Sequence, residues 1–200
     1  FSSLAEAQAK EEKQVLRVGT YNNPPKIYQL PSGEMAGFHI DILEVIAEKM
    51  EYHLEYHHQS WADNLRALQT GKIDLMVDVA YSEARAELYD FNQESLLIDW
   101  GIVYVQPELE VESFPNLDGL SIAGMEGGIH MEGPGGIIAL TERFGVSITP
   151  LLVESYQEAF DKVIEGKAHG AVVNRVFAQN QARRSGIKET KNEGIGVSFL

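Results

Sequence analysis

The chain contains no cysteine, so its chemistry must come from carboxylates, imidazoles and cations. Thiolate catalysis, disulfides and cysteine zinc sites are thereby excluded, and the redox compartment stays open. The densest cluster of ligating types is His53-Leu-Glu55-Tyr-His57-His58. On a strand, His53, Glu55 and His57 share one face. Two imidazoles and a carboxylate could hold zinc, but a solvated strand face explains the same pattern and is the preferred reading. His130 and His169 are isolated in the sequence. No Ser–His–Asp order, nucleotide loop or paired-acid motif stands out, so no catalytic residue, metal or cofactor is assigned. The glycine-rich run Glu126-Gly127-Gly128-Ile-His130 enters a helix. Amides at a helix start attract anions, and the same glycines suit a tight turn that needs positive φ. Arg85 carries a planar fork of donors suited to a two-oxygen anion. By pattern alone it would pair with Glu83 or Glu87 on a short helix. Asp78 reads as a strand-end cap for the helix at Ser82, and Asn174 as a helix cap. Tyr21 lies on the first loop and is a candidate ligand wall.

The elements that must position these residues alternate. Leu16 to Thr20 predicts a strand that runs into a Pro/Asn turn from Asn22 to Pro25. Phe38 to Met50 predicts a helix, with Ile42, Leu43, Ile46 and Met50 at helical spacing. Leu54 and Tyr56 alternate as in a strand, Ala62 to Gln69 is a helix stopped by Gly71, and Ile73 to Ala80 is an apolar strand. The second half repeats the plan: strand Leu120–Gly124, helix from about Pro134 to Phe144, strand Thr149–Val153, helix Ser155–Glu165, strand Gly170–Val173 and helix Asn174–Ser185 capped by Gly186. Such alternation means an α/β fold with parallel sheets.

An internal repeat splits this into two lobes. With Ser60 set against Ser155, Trp61 meets Tyr156, Asp63 meets Glu158, Leu65 meets Phe160, Leu68 meets Val163, and Gly71-Lys72 meets Gly166-Lys167. Each segment opens with a serine followed three residues later by an acid, the capping-box pattern. Parallel strands bind ligands at their carboxyl ends. Two facing lobes would therefore line one cleft with Tyr21 to Pro25, Asp78 to Arg85, Glu126 to His130, and Asn174. Trp61 is expected to pack in the core, and Phe38 to act as a staple for its own helix.

The bulk numbers agree with a globular domain: 44% hydrophobic and 23% charged residues. A net charge of −14 without a basic stripe opposes nucleic acid and anionic lipid as partners. No apolar run approaches the roughly 20 residues that span a bilayer.

Three segments resemble the bacterial extracellular solute-binding proteins, family 3. Gly37-Phe-His-Ile-Asp-Ile-Leu43 resembles the family's entry to its first helix. Leu68-Gln-Thr-Gly-Lys-Ile-Asp74 resembles its Leu-x-x-Gly-x-x-Asp, and Ser82-Glu-Ala-Arg85 with Phe91 resembles its Thr-x-x-Arg…Phe. The run Ala80 to Arg85, with Trp100 to Val105, looks most like the sensor-domain versions in histidine kinases. The resemblance implies a type II periplasmic-binding-protein fold with a ligand cleft between two lobes. It also implies that Arg85 clamps a ligand carboxylate and that the Gly127 and Gly128 amides assist. Two positions depart from the family. Asp78 and Ala80 stand where a glycine and a hydroxyl residue are usual, and Asn174 replaces the aspartate that takes an α-ammonium.

The boundaries expected are 1–14 for an N-terminal linker, resembling a leader remnant, 15–103 for lobe 1, 104–190 for lobe 2, and 191–200 for a return crossover toward an incomplete lobe 1. Hinge strands at Ile98–Gln106 and Ile187–Phe199 would let the lobes close on a small polar ligand, an amino acid or small carboxylate. In a sensor, closure would shift a membrane helix or a partner copy in a homodimer, placing the chain in the periplasm or outside the cell on a membrane anchor. The alternative is a free binding protein that serves an ABC permease. A dehydratase-like enzyme, with Glu126 or Asp78 as general acid, ranks third.

Overall fold

The computed structural model describes residues 14–185 and 196–197. The first lobe is built on a parallel sheet ordered β4-β1-β5, from β1 (Val15–Thr20), β4 (His53–His58) and β5 (Leu75–Met76). A hairpin of β2 (Tyr28–Gln29) and β3 (Met35–Ala36) follows β1. Helices α1 (Phe38–Lys49) and α2 (Trp61–Gln69) make the crossovers, and α3 (Glu83–Ala86) is one turn. The second lobe has a five-stranded sheet ordered β10-β6-β9-β7-β8. Its strands are β6 (Gly101–Val105), β7 (Ser121–Met125), β8 (Thr149–Val153), β9 (Gly170–Asn174) and β10 (Gly196–Val197). Helices α4 (Ile129–Glu132), α5 (Ile137–Phe144), α6 (Tyr156–Ile164) and α7 (Arg175–Ser185) accompany it. The β7–β8 and β7–β9 pairings are parallel, whereas β6 and β10 run antiparallel.

The repeat read from the sequence is physical. Ser60 and Ser155 each cap a helix, accepting from the Asp63 and Glu158 amides at 3.1 Å. Gly71 and Gly166 each follow a helix at φ +68° and +70°, where a side chain would be strained. Trp61 and Tyr156, the matched first residues, are both buried.

Several expectations shift. The 73–80 strand shrinks to Leu75–Met76, because Asp78 sits at φ +61° and turns the chain out of the sheet. Helix α1 buries His39, Ile40 and Ala47 and leaves Ile46 and Met50 in solvent. Its phase is set at its start, where the His39 amide donates to the Lys26 carbonyl at 3.1 Å. The helix expected from Pro134 is split, with Pro134 between α4 and α5 and Gly136 as the new cap. Strand β6 pairs with β9 along its whole length, so the chain enters the second sheet at Gly101, before the expected boundary at 103. β10 lies on β6, with Val197 opposite Gly101. Residues 1–13 of the expected 1–14 linker, the Gly186 cap and the rest of the return crossover lie outside the described residues.

The largest buried apolar cluster is continuous across both lobes, joining Tyr21, Trp61 and Ile40 to Tyr156, Val173 and Phe177. The lobes are therefore in contact, and the functional question is what lies in that contact.

Candidate functional site

Tyr21, Asp78, Arg85, Gly127 and Asn174, all expected positions, meet where the lobes touch. Tyr21 ends β1's run and is buried, with its ring edge-on to Trp61 at 4.9 Å between centroids. Its hydroxyl donates to Asp78 Oδ2 at 2.7 Å. Burial and the adjacent Asp78 charge push the Tyr21 phenol well above its ordinary range, so it remains a donor. The left-handed turn at Asp78 aims its carboxylate back under the first loop. There Asn23 Nδ2 donates to Oδ2 at 2.6 Å and Lys26 Nζ lies 2.9 Å from Oδ1.

Lys26 extends the cluster to Asp99 Oδ2 at 3.4 Å. The Lys26, Asp78 and Asp99 side chains are only 6%, 8% and 11% exposed. Three charges so deep are tolerable only because each meets an opposite charge or a donor. His39 Nδ1 lies 3.8 Å from Asp78 Oδ1 and makes no hydrogen bond, and burial holds its imidazole below the usual range. Asn23 lies in the Tyr21–Pro25 loop expected at the cleft, whereas Lys26, His39 and Asp99 were not singled out from the sequence. A lysine after two prolines carries no motif, and only the fold shows that it is buried.

From the second lobe, Asn174 donates to Asn23 Oδ1 at 3.0 Å and accepts the Phe177 amide at 2.8 Å. It thus caps α7 and also ties the lobes together. Tyr156 sits beside it, its phenol pushed up chiefly by burial.

Arg85 supplies the other cross-lobe bridge. Its N-cap Ser82 accepts the Arg85 amide, and the short α3 turns the guanidinium inward instead of toward Glu83 or Glu87. One terminal nitrogen donates to the Ala80 carbonyl at 2.8 Å and the other to the Gly127 carbonyl of the second lobe at 2.9 Å. The guanidinium carbon stands 5.4 Å from the Trp61 ring centroid. Trp61 Nε1 donates to the same Gly127 carbonyl at 3.1 Å. The residue expected to fill core is therefore also a cross-lobe contact. Ala80 contributes its backbone carbonyl.

The glycine pair behaves differently from expectation. The Gly127 amide donates to the Glu132 carboxylate, and the Gly128 amide to the Met125 carbonyl at 2.9 Å. Both amides are used locally, because Gly127 at φ +68° closes a tight turn ahead of α4. What it presents to the first lobe is a carbonyl. His130, on α4, is buried against Gly101, and burial first, with Lys26 second, lowers it to about 4.

The histidine face on β4 does not converge. His53 is exposed, and His57 Nε2 lies 3.1 Å from the exposed Glu55 carboxylate. Among the described residues no three acids or imidazoles gather to hold a metal. A cavity of about 360 Å³ lies elsewhere, between the hairpin, α1 and β4, lined by Met35, Glu44, Tyr56 and His58 among others. It belongs to the first lobe alone.

A half-buried arginine, an indole and a pair of asparagine amides join the two lobes. Residues 16–111 match the bacterial extracellular solute-binding proteins, family 3. The fold is that of the type II periplasmic binding proteins. A probable amino-acid-binding protein YxeM of Bacillus subtilis (strain 168) is 26% identical over 125 residues, 62% of this chain and 47% of that protein. The chain thus spans about half the length of that relative. An ancestral arginine-binding protein bound to arginine superposes with a TM-score of 0.77 at 22% identity, covering 88% of this chain and 76% of its own. A histidine kinase sensor domain with similarity to periplasmic binding proteins gives 0.74 at 22% identity, covering 94% and 79%.

Proposed function

We propose that this chain is an extracytoplasmic binding domain that closes on a small polar carboxylate ligand and reports closure to a membrane-anchored signalling module. The observation that carries the reading is Arg85. It is a half-buried guanidinium at the lobe contact, met by the carbonyls of Ala80 in one lobe and Gly127 in the other. A ligand carboxylate there would replace dipoles with a full opposite charge, in a site where water screens little. Because the contact bridges the lobes, the ligand would stabilise the closed form by its preference for that form. Trp61, Tyr21 and Tyr156 supply walls, and the two asparagines read polar groups.

The likeness to a kinase sensor domain supports the signalling role. Residues that could act on a ligand are absent from strong positions: Asp78 is held by three donors, and Glu126 is exposed. Binding without turnover is the reading.

The test is a thermal-shift screen of the purified protein against amino acids, other small carboxylates and polyamines, repeated with Arg85→Ala. A ligand at one hundred times its dissociation constant adds about 2.7 kcal/mol of stability. We expect carboxylates to raise the melting temperature of the native protein and to lose that effect with Arg85→Ala. Hits confined to polyamines, or a ligand consumed during binding, would sink the reading. For the signalling role, the ligand should change phosphorylation by the protein as the cell makes it. Ligand-dependent uptake without such a change would favour transport.

A further inference from the structure

We infer that Glu132 is a positioning residue for the docking of the two lobes: its carboxylate fixes the turn before α4 so that the Gly127 carbonyl serves as the second lobe's acceptor for the first. The inference goes beyond the binding reading above, because it concerns how the lobes engage and holds whatever ligand binds.

It starts from where one carbonyl points. Trp61 Nε1 donates to the Gly127 oxygen at 3.1 Å, and a terminal nitrogen of Arg85 donates to it at 2.9 Å. A carbonyl has two lone pairs, so both are taken by donors of the first lobe. Those donors stand on separate elements, Trp61 at the start of α2 and Arg85 on α3. The approach is close, since a Cβ added at Gly127 would lie 3.4 Å from Trp61 Nε1. One atom of the second lobe therefore receives two side chains of the first. The bond from Arg85 carries a full charge and is the stronger kind.

That carbonyl is held in place by its neighbours. A trans peptide aims its N–H and its C=O in opposite directions. The Gly128 amide donates back to the Met125 carbonyl at 2.9 Å, which sends the Gly127 carbonyl of the same peptide outward. The preceding peptide is held by the Glu132 carboxylate, which accepts the Gly127 amide. Only the two dihedrals of Gly127 lie between these clamps, with φ at +68°. Glycine populates positive and negative φ about equally, so the residue by itself does not choose this conformation. The Glu126 amide, which donates to the Val153 carbonyl at 2.9 Å, ties the turn to β8. Of these three tethers, the one from Glu132 is made by a side chain and can be removed by substitution. Glu132 is the last residue of α4, so the short helix carries its own carboxylate back to the turn that precedes it.

The experiment follows hydrogen exchange of the Trp61 indole N–H by NMR in the native protein, Glu132→Ala and Glu132→Gln, without added ligand. The chain has two tryptophans, so Trp100→Phe assigns the two indole signals. We expect Glu132→Ala to speed Trp61 indole exchange at least about fivefold, as loss of a charge-assisted hydrogen bond at an exposed side chain would. The amides of β7 should exchange as in the native protein. Glutamine keeps an acceptor oxygen, so Glu132→Gln should stay within about twofold of native. An unchanged Trp61 rate in Glu132→Ala overturns the inference. So does a rise in the β7 rates alongside it, because the carboxylate would then hold the second lobe together instead of aiming one carbonyl. A Glu132→Gln protein that exchanges as fast as Glu132→Ala overturns it as well, since the hydrogen bond to the Gly127 amide would not be the cause. Carboxylate binding at Arg85 is tested separately by the thermal-shift screen, so either reading can fail while the other stands.

Discussion

Lys26→Met isolates the buried charge cluster. The ammonium stands 2.9 Å from Asp78 and 3.4 Å from Asp99, and all three side chains are nearly inaccessible. At an effective dielectric of about 20, the closer pair attracts by about 6 kcal/mol. The cost of burying the charges offsets much of that in the native protein, so the pair itself adds little net stability. Removing one partner is different, because two carboxylates are then stranded without a cation. Such a loss costs about 3–5 kcal/mol, which for a chain of this size lowers the melting temperature by roughly 6–20 °C. Lys26→Met/Asp78→Asn should recover part of the loss, at least about 1 kcal/mol, because neighbours in one network are not additive. Asparagine tolerates the left-handed backbone at this position, φ +61°, and still accepts from Tyr21. Thermal melts of the four proteins in one buffer complete the cycle. A Lys26→Met protein melting within about 2 °C of native, or a double variant that is simply additive, would refute the placement of Lys26 as counter-ion.

Stability should also fall in acid. His130 is lowered to about 4 by burial, so the unfolded chain binds its proton first; the contribution is complete above about 6.5 and is lost as pH falls toward 4. Melting temperature should drop across that window, the unfolding free energy falling by up to about 1.4 kcal/mol per pH unit, and the slope should shrink in His130→Gln. Gly37→Ala should destabilise and loosen the site, since an added Cβ would fall 2.3 Å from the Lys26 carbonyl at φ +121°; a melt unchanged from native would contradict this. Ser60→Ala and Ser155→Ala should each cost about 1 kcal/mol, and by similar amounts, because both remove the same cap; denaturant unfolding measures it.

The local devices were legible in the sequence because each is written in neighbouring residues. The serine caps, the Gly71 and Gly166 stops and the matched Trp61 and Tyr156 gave the repeat, and the repeat gave the two lobes. The strand-end rule then pointed to Tyr21, Asp78, Arg85, Gly127 and Asn174, which the fold does bring together. What each does there was decided by partners far along the chain. Asp78 is held by Lys26 and Asn23, Arg85 by a carbonyl of the other lobe, and Asn174 by Asn23. The Gly127–Gly128 amides were lost to Glu132 and Met125, since a turn satisfies its own donors first. Even α1, whose apolar spacing was clear, took its facing from the Lys26 carbonyl. Periodicity specifies that a face exists, but the contact at the helix start selects which face turns inward. Sequence alone determined most of the elements, their repeat and the strand ends that the fold brings together. Only the tertiary structure decided which charges are neutralised inside it, because burial and counter-ions depend on residues that the chain brings together from both lobes.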